Sequence, residues 1–237
     1  MKTDKKKRGI IHEYRRCWDY LKDSKKFIYF VAGIFLLFVL IGFFIPVPEL
    51  VYEKIMTYIR ELLKQTEGLS LFQLLWFILS NNLKSTLFGI ILGSLFGIYP
   101  LISTISNGYL LGFVSSVSVS VAGMTSLWRL FPHGIFEIPA IFISLGLGIK
   151  LGFWLFLEPV KYYIKKNKLI ACSLILFYVP TLLCTLIVNR QFRNLMKKHL
   201  KVFWDNLGKS VLTFFLVITP LLIVAGIIES VIFFFVK

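Results

Sequence analysis

The chain has 237 residues, of which 57% are hydrophobic and 16% charged, and its mean hydropathy is +0.78. That exceeds what one soluble core requires, so an ordinary globular domain is excluded and an integral membrane protein is predicted. The formal charge of +15 does not point to nucleic acid, because the lysines and arginines flank apolar segments as cytoplasmic loops do; anionic lipid headgroups are the expected partner.

Residues 1–26 carry ten basic side chains, and Ile11, Tyr14, Trp18 and Leu21 recur at three and four. This arm reads as a basic amphipathic helix on the cytoplasmic face. Its basic and apolar stretches are too long for a cleavable signal, so it is expected to stay as an anchor. Residues 27–45 form the first predicted span, without a charge and ended by Pro46 and Pro48. Residues 50–80 read as an outer interfacial region. Within it Val51, Ile55, Ile59, Leu62 and Leu63 alternate with Glu53, Lys54, Arg60, Glu61 and Lys64 at helical spacing, and residues 69–80 are too short to cross alone. Asn81, Asn82 and Lys84 then mark the outer boundary of a second span over 85–106, whose Gly89, Gly93 and Gly97 give a packing groove.

Asn107-Gly108 predicts a tight inner turn into a third span over 109–124, with Ser115, Ser116, Ser118 and Ser120 turned toward other helices. A fourth span covers 132–157, with Ser144, Gly148 and Gly152 spaced by four and Lys150 able to snorkel at its inner end. Residues 169–188 are long enough to span, yet the basic run after them should stay inside. A re-entrant 169–188 puts twenty basic residues inside and six outside, against fifteen and eleven if it crosses. The re-entrant version is preferred, with 189–208 an inner basic helix and the last span over 211–236. The expected architecture is an all-α transmembrane helix bundle of five to six apolar segments with interfacial amphipathic helices.

Chemistry concentrates in the stretch Phe131-Pro132-His133-Gly134-Ile135-Phe136-Glu137-Ile138-Pro139-Ala140. If Pro132 opens a helix, His133 and Glu137 share a face about one turn inside the apolar run. A charge near the bilayer centre costs roughly 2.5–3.5 kcal/mol on insertion scales, so such a carboxylate should face a bundle interior or a wet cavity. Glu229 is a second carboxylate inside apolar sequence. With the C-terminus outside, helical rise places it at a depth similar to Glu137, and His133, Glu137, Glu229, Asn81, Asn82 and Asn107 form the candidate polar cluster.

Taken together, Asn81-Asn82, the Gly89/Gly93/Gly97 helix, Asn107-Gly108, the His133-to-Ala140 stretch and Ile228-Glu229 resemble the stage II sporulation protein M family. They cover residues 69–232, and the chain differs from the family pattern in its 169–188 segment and long basic arm. The resemblance implies an all-helical membrane protein. In spore formers it implies a partner of peptidoglycan-remodelling enzymes.

Two functional readings follow. In the first, the polar cluster fixes helix register in a membrane scaffold or assembly factor for partner proteins, possible also as a homodimer through its small-residue faces, Gly134 and Gly108 included. In the second, Glu137 and Glu229 line a channel or transporter path for protons, cations or a small solute. Catalysis is not expected. His12 and His199 fall in inner regions away from His133, no HExxH or nucleophile-elbow motif is present, and no cofactor or metal is implied. The three cysteines, Cys17, Cys172 and Cys184, show no pairing or metal-ligand spacing and are expected as free thiols.

Overall fold

A computed structural model of the chain describes residues 9–94, 97–129, 131–157 and 190–235. The fold is all-helical, with no strand among the described residues, and five of its helices are long and apolar enough to cross a membrane. Segment 169–188, which the sequence leaves open between crossing and re-entry, lies outside the described residues.

Helix α1 (Ile10–Phe44) joins the amphipathic arm and the first apolar run without a break. At 1.5 Å per residue its 35 residues extend about 52 Å, well beyond a hydrocarbon core of about 30 Å, so one end projects. Pro46 and Pro48 separate it from α2 (Glu49–Thr66), an amphipathic helix in which no residue is buried. Its anchor on the bundle is the Tyr52 ring, edge-on to Phe113 at 5.6 Å.

Two predicted boundaries move. Helix α3 (Leu71–Gly93) starts at a Ser70/Gln73 capping box and runs straight through Asn81, Asn82 and Lys84. Residues 71–80 therefore belong to a span, not to the interfacial region. Helix α4 (Ile98–Ala122) likewise runs through Asn107-Gly108. The turn between α3 and α4 lies instead at Gly97, whose φ of 67° is left-handed and suits the one residue without a Cβ. Asn107 stays helical because its amide donates back to the Ser103 carbonyl at 2.8 Å and to Ser103 Oγ at 3.1 Å. Gly108 is needed there for packing, since a side chain would strike the Phe35 backbone. Gly97→Ala is accordingly expected to cost about 1–2 kcal/mol, and Asn107→Ala less than about 1 kcal/mol. Melting of the purified variants in one detergent checks the order.

A short 3-10 segment, Met124–Arg129, leads into α5 (Phe131–Gly152), which ends in a π-helical turn, Phe153–Leu157. Helix α6 (Arg190–Thr213) passes through a second π turn, Phe214–Ile218, into α7 (Thr219–Phe235). The core joins α3, α5, α6 and α7 through Ile90, Ala140, Leu151, Phe203, Ile218 and Leu222.

Helices α1 and α4 run parallel, Gly108 and Gly112 packing on the backbones of Phe35 and Val39 and Gly42 on that of Tyr109. Helices α3 and α5 run parallel to each other and opposite to α1, with Gly89 against Ser144 and Leu145 and Gly93 against Gly148. Phe35 on Phe142 and Phe27 on Phe153 fix that antiparallel register. Lys150 and Ser210 both meet the Tyr20–Ser24 stretch, so the C-terminal ends of α5 and α6 lie together beside the arm.

Candidate functional site

Glu137 sits in the second turn of α5, half-buried. The Asn82 side chain of α3 interacts with its carboxyl, and Glu229 of α7 is close enough for the two carboxyls to act on one another electrostatically. Three helices thus bring Asn82, Glu137 and Glu229 to one place, and among the described residues neither carboxyl forms an ion pair with a cation. The other sequence-predicted polar residues are elsewhere. Asn81 is exposed on the outward face of α3. Asn107 is exposed and occupied with Ser103. The His133 backbone belongs to the first turn of α5, and its side chain lies outside the described residues.

Glu137 also lines a cavity of about 690 Å³ between α1, α4 and α5. Its walls are mostly apolar, with Phe35, Leu111, Val114 and Ile138 among them, and its polar members are Asn107, Ser115 and Glu137. Pro139 lies in the wall too. It brings no N–H, so the Ile135 carbonyl one turn earlier loses its usual donor. Size and lining match those of small-ligand pockets. No lining residue comes from the arm half of the bundle, where Gly146 packs on Ile28 and Gly148 on Gly89.

At the opposite end is a network that sequence reasoning missed. Lys150 does not snorkel: it is only 6% exposed. Its ammonium donates to Ser24 Oγ at 2.8 Å and stands 4.0 Å from the centre of the Tyr20 ring. Ser24 in turn donates to the Tyr20 carbonyl at 2.6 Å, and the Tyr20 hydroxyl pairs with Ser210 Oγ at 3.0 Å. Lys209, paired with Asp205 at 2.7 Å, lies 6.0 Å from the same ring. Tyr20 and Ser24, four apart in the arm, were the available signal.

Of the predicted packing residues, Gly89, Gly93, Gly148 and Gly152 seat α3 on α5, Gly108 seats α4 on α1, and Gly97 makes the turn. Gly134 has only ordinary contact with Ile138. Apart from Gly134, these glycines are used in packing within one chain.

The sequence pattern of stage II sporulation protein M matches residues 31–232. An uncharacterised protein of Methanocaldococcus jannaschii, MJ0706, is 30% identical over 177 residues, which is 66% of this chain and 78% of that protein. A second from the same organism, MJ0793, is 40% identical over 81 residues, 32% of this chain and 44% of that protein. No solved structure matches. With all five apolar helices at least partly inside the matched region, this polytopic membrane protein belongs to the stage II sporulation protein M family.

Proposed function

We propose that the protein is a non-enzymatic membrane scaffold that holds partner proteins, with its N-terminal arm cytoplasmic and its basic helices against anionic lipid. The observation that carries this reading is α2. It places Val51, Ile55, Ile59 and Leu62 on one face and Glu53, Arg60, Glu61 and Lys64 on the other, yet none of its residues is buried in the bundle. An unclaimed amphipathic helix at the end opposite the arm is suited to the membrane interface and to a partner there. The Asn82, Glu137 and Glu229 group serves this role by setting the register of α3, α5 and α7.

The second reading, a conduit for protons, cations or a small solute, is favoured by one observation, the cavity at Glu137. A path would also need an opening through the arm half, where glycine contacts bring backbones together. Proteoliposomes separate the two. The scaffold reading expects proton and monovalent-cation flux no greater than in empty vesicles, with Glu137→Gln and Asn82→Ala each lowering the melting temperature. It also expects a photo-crosslinker at Ile55 to give discrete protein adducts in the native membrane. Flux that Glu137→Gln abolishes in a folded protein would establish the conduit instead.

A further inference from the structure

We infer that the outward face of α3 around Asn81 and Lys84 seats the transmembrane helix of a partner protein that carries a carboxylate at mid-membrane depth. This deepens the scaffold reading, on which it rests. Lys84 comes thirteen residues after Leu71 and nine before Gly93, about 20 Å and 14 Å of helical rise from the two ends. It is therefore near the middle of a hydrocarbon layer about 30 Å thick.

Its side chain is exposed, as are Asn81 one turn before it and Phe88 one turn after it. The residues that bind α3 to the bundle, Thr86, Gly89, Ile90 and Gly93, are buried on the other side of the helix. Among the described residues the side chains of Asn81 and Lys84 form no hydrogen bond or ion pair. From this depth a lysine stem is too short to bring its ammonium to either headgroup layer. Lys150, by contrast, is buried and held by Ser24 and the Tyr20 ring.

Charge complementarity selects the occupant. Lipid tails offer no acceptor, and the carboxylates inside the described spans, Glu137 and Glu229, belong to α5 and α7, which pack on the opposite face of α3. A second copy related by a two-fold axis normal to the membrane would set Lys84 against Lys84. A foreign helix with one mid-span Asp or Glu meets the ammonium directly, takes a further hydrogen bond from the Asn81 amide and packs on Phe88.

The test uses the full chain in phosphatidylcholine nanodiscs, with p-benzoylphenylalanine replacing Phe88 and synthetic leucine-rich transmembrane peptides bearing a central Glu, Gln or Lys. The Glu peptide is expected to cross-link about tenfold more than the Gln peptide, a difference of about 1.4 kcal/mol, and the Lys peptide less still. Lys84→Gln is expected to reduce the Glu peptide to the level of the Gln peptide, while Lys84→Arg keeps it high. Equal labelling by all three peptides, or no effect of Lys84→Gln, would overturn the proposal. So would a crosslink into residues 169–188 of the same chain or into a second copy. These outcomes are read at Phe88, whereas the scaffold reading is tested by adducts at Ile55, so either can fail without the other.

Discussion

Gly93→Leu and Gly148→Leu are expected to abolish folding of the bundle, and even alanine at either site is expected to lower the melting temperature. A Cβ on Gly93 would overlap the Gly148 Cα and carbonyl carbon, and one on Gly148 would strike the Gly89 carbonyl. These obstacles are backbone, which cannot rotate aside as a side chain can, so α3 and α5 must separate. Overpacking a core typically costs 1–3 kcal/mol, and about 3 kcal/mol or more is expected where two backbones block relief. Lipid tails are as apolar as the helix surfaces, so close backbone approach is a main source of association and its loss is not offset by burial elsewhere. Gly33, exposed within α1 and with open space where a side chain would begin, supplies the control. Gly33→Leu is expected to be neutral or mildly stabilising, because glycine is a poor helix former. The monodisperse fraction on size exclusion and the melting temperature of both sets, measured in one detergent, separate packing from a general intolerance of leucine.

The glycine spacing was legible in the sequence because packing of small residues has a period, and Gly89, Gly93, Gly148 and Gly152 meet across one interface. The turn was not legible. Asn107-Gly108 carries stronger local turn chemistry than the stretch before Gly97. That chemistry lost to two facts sequence reading does not supply: Ser103 satisfies the Asn107 amide, and α1 passes so close that only glycine fits at position 108. The same blindness moved the start of α3. Asn81, Asn82 and Lys84 lower local hydropathy and look like a boundary, but a spanning helix holds polar groups in mid-course when partners exist, as Glu137 does for Asn82.

The site was legible in part. Helical rise put Glu137 and Glu229 at similar depth, and they stand on α5 and α7, which pack on one another in the structure. Which asparagine faces them depends on the rotation of α3, which the buried Thr86 and Gly89 fix. Asn82 is turned inward and Asn81, one position away, outward.

Lys150→Ala is expected to destabilise the protein by about 2–4 kcal/mol, the range for deleting a long buried side chain, and Lys150→Met by clearly less. Two contributions are separable here. The stem packs in the interior at 6% exposure, so alanine leaves a void that methionine fills. The ammonium, 4.0 Å from the centre of the Tyr20 ring and 2.8 Å from Ser24 Oγ, adds a desolvated cation–π contact of about 2 kcal/mol and a charge-assisted hydrogen bond. Methionine loses only these, and regains part of the cost because no ammonium is then buried. A double-mutant cycle with Tyr20→Leu isolates the ring contact, with an expected coupling of about 1–2 kcal/mol. Tyr20→Phe keeps the ring and gives up the hydroxyl pair with Ser210, at about 1 kcal/mol. A coupling of zero would mean that the ring does not hold the ammonium, and the polar ties among α1, α5 and α6 would then reduce to the Lys150–Ser24 hydrogen bond and the Tyr20–Ser210 pair. A coupling in the expected range makes the Lys150 ammonium the tie between the arm and the end of α5. The arm could not then swing away without leaving an uncompensated charge in the interior.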